Sequence, residues 1–241
     1  FNPSNMKKNL TWLFFASFFL YQPLMAQFNY WISDPSQRGP TPVAGIDEAF
    51  FTLEPKGAYT ELGIYLVFSA GESEYLFEPN ASLELIYEFS LPEEAMVTDS
   101  WLWVEDEIIR AKILDRWLAS TIYEGIVNRR QDPSLLIKES ATQYRLQVYP
   151  LPNGFSRKVK ITAMVPNEWT ETDVFTAIMP EFIAYAPVVP DLRLEVIVPP
   201  AGPLPQLISH PSVTFVKTGV SGEKDVYGAQ LPAALLRERK P

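Results

Sequence analysis

The sequence predicts a mainly β protein: an antiparallel sandwich of two sheets with a single amphipathic helix packed on it. Three observations carry this. Segment after segment alternates with period two, as at Leu62, Ile64, Leu66 and Phe68 on one face with Glu61 and Gly63 on the other, which is the mark of a half-buried strand. The 22 prolines stand mostly between such runs, where they punctuate turns. Only one convincing helical period of three and four occurs after the N-terminus, at Leu118, Ala119, Ile122, Tyr123, Ile126 and Val127.

Residues 1–26 read as an export signal rather than as part of the fold. Lys7 and Lys8 precede an apolar run from Leu10 to Tyr21, and a small residue, Ala26, stands where cleavage is expected. The run is short for a membrane span of about 20 residues, so contact with a membrane is expected only if this segment is retained. Residues 27–53 read as an extended lead-in, with an edge strand at Ile46 to Leu53.

The core pattern begins with Tyr59 to Ser69. After a turn at Gly71 to Glu74, Leu83, Leu85, Tyr87, Phe89 and Leu91 alternate with Glu84, Glu88 and Ser90. Met96 to Val104 and Glu107 to Leu114 form a hairpin, and period two places Trp101 and Trp103 on one face. Asp115 caps the helix expected at about 115–129. Asp132-Pro133 opens a turn that lets Leu135 and Leu136 fold back onto the sheet. Tyr144, Leu146 and Val148 form the next strand. Asn153-Gly154 signals a turn, and Val159, Ile161, Ala163 and Val165 follow, with Lys158, Lys160 and Thr162 facing the other way. Antiparallel strands with one wet face give this alternation, and two such sheets bury each other.

From Asn167 the character changes. Val174 to Pro190 is apolar but broken by prolines and Glu181. Leu192 to Val198 alternates as a strand, and Ser212 to Lys217 pairs with Asp225 to Gln230 around Gly219 to Gly222. Residues 54–166 are thus expected as the sandwich domain and 167–241 as a strand-rich extension.

Several segments together resemble a known family. Phe89-Ser90-Leu91-Pro92 is followed by Trp101 to Val104, then by Tyr123-Glu124, Val127, Arg129-Arg130, Asp132-Pro133 and Leu135-Leu136, and finally by Tyr144 to Val148 and Pro150-Leu151-Pro152-Asn153-Gly154. Their order and spacing over about Glu54 to Val165 resemble the vault protein inter-alpha-trypsin (VIT) domain. The resemblance implies a non-catalytic β-sandwich module of an exported or surface protein. It also implies a von Willebrand A-type domain downstream, with protein or matrix partners. No Asp-x-Ser-x-Ser motif of such a domain occurs up to Pro241, so the sequence is expected to be an N-terminal piece.

Chemistry is hard to find. The chain has no cysteine, so thiolate metal sites and disulfides are impossible. His210 is the single histidine, without the partner spacing of a triad or a metal site. No nucleophile elbow, Walker loop or calcium loop occurs. Glu93-Glu94 and Glu105-Asp106-Glu107 fall at expected turn tips, where carboxylates are solvated rather than set apart in pKa for acid-base work. No cofactor, metal or catalytic residue is therefore expected. The formal net charge of -9 with no clustered basic element argues against nucleic acid.

Two pairs are candidates for interaction. Trp101 and Trp103 either form a platform for a protein or glycan partner or pack beneath the helix toward Trp117. Arg129 and Arg130 either grip an anionic partner or are solvated at the helix end. The alternative reading of the chain is an accessory β-domain of an exported glycan-acting hydrolase.

Overall fold

The computed structural model describes residues 30–37, 39, 41–104, 107–110, 134–169, 175–177, 190–200, 202–208 and 210–236. The leader expected at 1–26, the helix expected at about 115–129, and Arg129 and Arg130 lie outside the described residues.

Two sheets pack as a sandwich. The smaller contains β1 (Tyr30–Ser33), β4 (Ser82–Ser90), β7 (Ser134–Lys138) and β8 (Gln143–Pro152) in the order β1-β4-β8-β7. The larger contains β2 (Gly45–Lys56), β3 (Tyr59–Ser69), β5 (Met96–Val104), β6 (Glu107–Arg110), β9 (Ser156–Trp169), β11 (Leu192–Val198), β12 (Val216–Ser221) and β13 (Lys224–Leu231), with β10 (Phe175–Ala177) paired to β9. Its order is β12-β13-β11-β2-β3-β9-β5-β6. The described helices are a 3₁₀ turn at Gly71–Leu76 and α1 at Ala233–Leu236.

The alternation read from the sequence sets which side chains meet between the sheets. Leu62, Ile64, Leu66 and Phe68 of β3, with Val159, Ile161, Ala163 and Val165 of β9, point inward and are buried. Facing them are Leu83, Leu85, Tyr87 and Phe89 of β4 and Tyr144, Leu146 and Val148 of β8, in one continuous core. The Phe68 and Tyr87 rings lie 5.4 Å apart across the sandwich. Leu135 and Leu136, expected to fold back onto the sheet, are instead part of an edge strand of the smaller sheet, β7, where Leu136 packs on the core and Leu135 is buried in a separate small cluster with Tyr149.

Two features depart from the expected arrangement. The stretch expected as an edge strand, Ile46 to Leu53, is part of β2, which lies inside the sheet between β3 and β11. Its second neighbour comes from about 140 positions later in the chain, and nothing local to β2 announces it. The β2–β11 pairing is also parallel, with Phe50 opposite Arg193, whereas every other pairing among the described strands is antiparallel.

Two buried asparagines close the ends of the sandwich. The Asn153 amide nitrogen donates to the carbonyl oxygens of Glu74, Phe77 and Glu78 at 2.8, 3.3 and 3.2 Å. Its backbone N–H donates to Ala81 O at 2.8 Å. Gly154, with φ +83°, makes the tight turn that presents Asn153 this way. At the other end, Thr60 Oγ1 donates to Asn167 Oδ1 at 2.6 Å, and Asn167 Nδ2 donates to Gly57 O at 2.9 Å. Each amide supplies donors for loop carbonyls that no ladder satisfies, as buried backbone groups require.

An ion cluster joins β2 to the β12–β13 hairpin. Glu54 accepts hydrogen bonds from Lys224 and Lys56. Partial burial pushes its carboxyl up, but the two lysine hydrogen bonds and their charges outweigh that and hold it below its ordinary value.

Two outcomes are expected. Asn153→Ala strips the donor from three carbonyls and should lower unfolding stability by about 1–3 kcal/mol in urea titrations. Asn153→Asp, which turns an acceptor toward those carbonyls, should cost more; equal stability of the three proteins would refute the clamp. For Glu54, a folded pKa below the ordinary 4.5 means that its stabilisation is complete above that value and fades as pH falls through the lower, folded one. The difference between wild type and Glu54→Gln should therefore be at most about 1 kcal/mol at neutral pH, since both lysines are partly exposed, and should shrink progressively as pH falls below 4.5.

Candidate functional site

The outer face of the larger sheet follows from the inner one. Period two turns inward residues at β3, β5 and β9 into outward neighbours one position away, and these outward neighbours are aromatic and cationic. Register aligns them in a row. Arg193 of β11 stands opposite Phe50 of β2, Phe50 opposite Tyr65 of β3, Tyr65 opposite Lys160 of β9, Lys160 opposite Trp101 of β5, and Trp101 opposite Arg110 of β6. A second file sets Trp103 beside Lys158. At about 4.8 Å per strand, the row runs roughly 24 Å across six strands.

The side chains touch along this row. Phe50 and Tyr65 stack with centroids 5.2 Å apart, Tyr65 and Trp103 lie at 6.4 Å, and Trp101 and Trp103 at 5.7 Å. Arg193 lies 4.1 Å over Phe50, Lys160 4.5 Å over Trp101 and 5.0 Å over Tyr65, Lys158 4.8 Å over Trp103, and Arg110 4.6 Å over Trp101. All lie within the roughly 6 Å over which a ring face attracts a cation. The four rings are half-buried, while Arg110, Lys158 and Arg193 are exposed.

Two neighbours fix the rings. Trp101 Nε1 donates to the Asp99 carboxylate, which sits two residues back on the same face. Gly63 leaves room beside Tyr65; a Cβ there would stand 2.3 Å from Thr52 Oγ1 and 3.3 Å from the Tyr65 ring.

The sequence placed Trp101 and Trp103 on a shared face, and the structure puts that face on the outside of the sandwich. The helix and Trp117, under which they were alternatively expected to pack, lie outside the described residues, as do Arg129 and Arg130. Phe50, Tyr65, Lys158, Lys160, Arg110 and Arg193 escaped the sequence reading as members of a site. Their outward parity was legible strand by strand, but the register that aligns them comes from pairings distant in the chain.

Elsewhere the side chains offer little chemistry. His210 Nε2 lies 3.1 Å from Leu235 O, within the fold. Glu93 and Glu94 are exposed in the turn after β4. A concavity of about 380 Å³ beside the 3₁₀ turn is lined by Asp47, Ser69, Glu74 and Phe155 among others, and Asp47 there accepts a hydrogen bond from Ser69. Burial pushes the Tyr30 and Tyr87 hydroxyls well up, so both stay neutral in the core. Among the described residues no group of three or more His, Cys, Asp or Glu converges as a metal site. No described helix is long and apolar enough to cross a membrane.

Comparison with known proteins gives one family and a set of distant structures. No curated protein matches the chain. Among solved structures, an M1 zinc metallopeptidase from Deinococcus radiodurans is similar at 10% identity and a TM-score of 0.43, over 82% of this chain and 41% of that one. A candidate nutrient binding protein from Legionella pneumophila subsp. pneumophila str. Philadelphia 1 is similar at 10% identity and a TM-score of 0.43, over 80% of this chain and 64% of that one. The chain thus spans about two fifths of the length of the peptidase it matches, and these likenesses carry nothing about activity. The family model of the vault protein inter-alpha-trypsin domain matches residues 69–163, a stretch that runs from the end of β3 through most of β9 and contains Trp101, Trp103, Lys158 and Lys160. With that match laid over the sandwich and its central strands, the chain carries a VIT domain.

Proposed function

We propose that the chain is a non-catalytic interaction module of an exported or cell-surface protein, and that it works through the outer face bearing Trp101 and Trp103. The observation that carries this reading is the ring-and-cation row across six strands. A surface of Trp, Tyr and Arg in fixed positions has the composition of binding hot spots, and a sheet face needs no such enrichment merely to be soluble.

The finer parts of the proposal rest on sequence. Lys7, Lys8 and the apolar run from Leu10 to Tyr21 support export. The resemblance to the VIT family implies the rest of the proposal, a multi-domain setting with a von Willebrand A-type domain downstream and a protein or matrix partner. Arg129 and Arg130, at the end of the expected helix, remain part of the proposed interaction set on the strength of their charge alone.

The test is a photo-crosslinking residue placed at position 103 in the full-length protein, produced in its own cells. Cross-links to a partner polypeptide or to the downstream domain are expected at this position. They should be several-fold fewer when the same residue replaces Ile86, on the outer face of the smaller sheet. Equal yields at the two positions would overturn the assignment of the face.

A further inference from the structure

The row carries positive charge that no ion pair among the described residues neutralises. Among the described residues, the ion pairs use Lys56, Arg145, Lys217 and Lys224. Arg110, Lys158, Lys160 and Arg193 make none; each sits over a ring instead. Asp99, the carboxylate nearest in register to the tryptophans, is already an acceptor for Trp101 Nε1 and Ser100 N. The contrast lies within one sheet, because Glu54 on β2 gathers two lysines while Phe50, four residues earlier, carries an unpaired arginine. All this occurs on a chain of net charge -9.

We infer that this strip binds an acidic segment of a partner polypeptide, with its carboxylates on Arg110, Lys158, Lys160 and Arg193 and its apolar side chains on the rings between them. The inference rests on the interaction reading above and names the chemistry of the partner. Stacking on a ring engages the flat face of a guanidinium and leaves its fork of N–H donors free for a carboxylate. The rings hold the cations in place, so less side-chain freedom is lost on binding.

Spacing selects the class of partner. Arg110 and Lys160 are two strands apart and Lys160 and Arg193 three, so about 10 and 14 Å separate them along the row. In an extended peptide, acids three apart in a polyproline II segment or four apart in a strand share a face at about 9 and 13 Å. Duplex DNA carries a charge every 1.7 Å or so, far denser than this strip.

The probe is a fluorescein-labelled peptide with glutamate at every third position among leucine, serine and proline, paired with a twin in which glutamine replaces each glutamate. Anisotropy with the full chain should show the glutamate peptide binding at least about tenfold more tightly than its twin, with the preference shrinking as salt rises. Lys158→Glu combined with Lys160→Glu should abolish the preference, and Lys160→Arg should keep it. Unchanged circular dichroism and melting in each variant would show that folding is intact. Equal binding of the twins, binding of neither, or a preference that survives charge reversal would overturn the inference. So would tighter binding of a single-stranded oligonucleotide or of phosphatidylserine vesicles, or concentration-dependent self-association lost on charge reversal. Twins that bind alike while position 103 still cross-links would sink the acidic partner and leave the interaction face standing. Absent cross-links with a clear glutamate preference would do the reverse.

Discussion

The pairing of β3 with β9 is the constraint on which the rest of the structure depends. Eleven registered positions run from Tyr59 opposite Pro166 to Ser69 opposite Ser156. On the inner face they bring Leu62, Ile64, Leu66 and Phe68 beside Ala163, Ile161, Val159 and Arg157. The first three pairs are wholly apolar, and the sandwich core is built against them. A slip of one residue would turn that stripe outward and the lysines of β9 inward. Burying an unpaired lysine is costly enough that the core effectively locks the register. Once it is locked, Tyr65 must lie beside Lys160, and every strand added on either side extends the same row.

That dependence explains what could be read from the sequence and what could not. Strands β3, β4, β8 and β9 were visible because each has a period of two, whereas β7, Ser-Leu-Leu-Ile-Lys, has none and was not expected as a strand. Trp101 and Trp103 were visible as a pair because both belong to one strand. The row was not visible, because neighbours such as Phe50 and Arg193 are joined by a parallel pairing across about 140 residues, and period alone carries no register. The same gap turned β2 into an expected edge. Asn153 was read only as a turn residue beside Gly154; its three hydrogen bonds depend on where the 3₁₀ segment comes to rest.

The VIT match begins at Ser69 and ends at Ala163, while the sheet does not respect those limits. β2 and all but the last residue of β3 precede the match, and β11 follows it, yet Phe51, Leu62, Leu192 and Leu194 belong to the same core as Leu85 and Ile161. A hydrogen-bonded sheet cannot be cut between β3 and β9 without exposing both the ladder and the apolar stripe. The row shares this property. Trp101, Trp103, Lys158 and Lys160 fall inside the matched stretch, and Phe50, Tyr65 and Arg193 fall outside it, so the surface is assembled only when the flanking strands are in place.

Solubility and recognition also meet in the same side chains. Four rings on an outer sheet face are a liability for edge-to-edge and face-to-face association. The long stems of Lys158, Lys160, Arg110 and Arg193 lie across those rings while their charges stay near water, as amphipathic side chains do. The overlay keeps the face wet while, among the described residues, none of the four cations is paired with a carboxylate, Asp99 being taken up by Trp101 and Ser100. A neighbouring acid would have served solubility equally well, as Glu54 does for Lys56 and Lys224, but it would have spent the positive charge inside the fold. Covering rings with cations alone leaves a face that is soluble by itself and still has its electrostatic attraction unspent. It is this combination, rather than the aromatic residues taken singly, that separates the outer face of the larger sheet from the rest of the described surface.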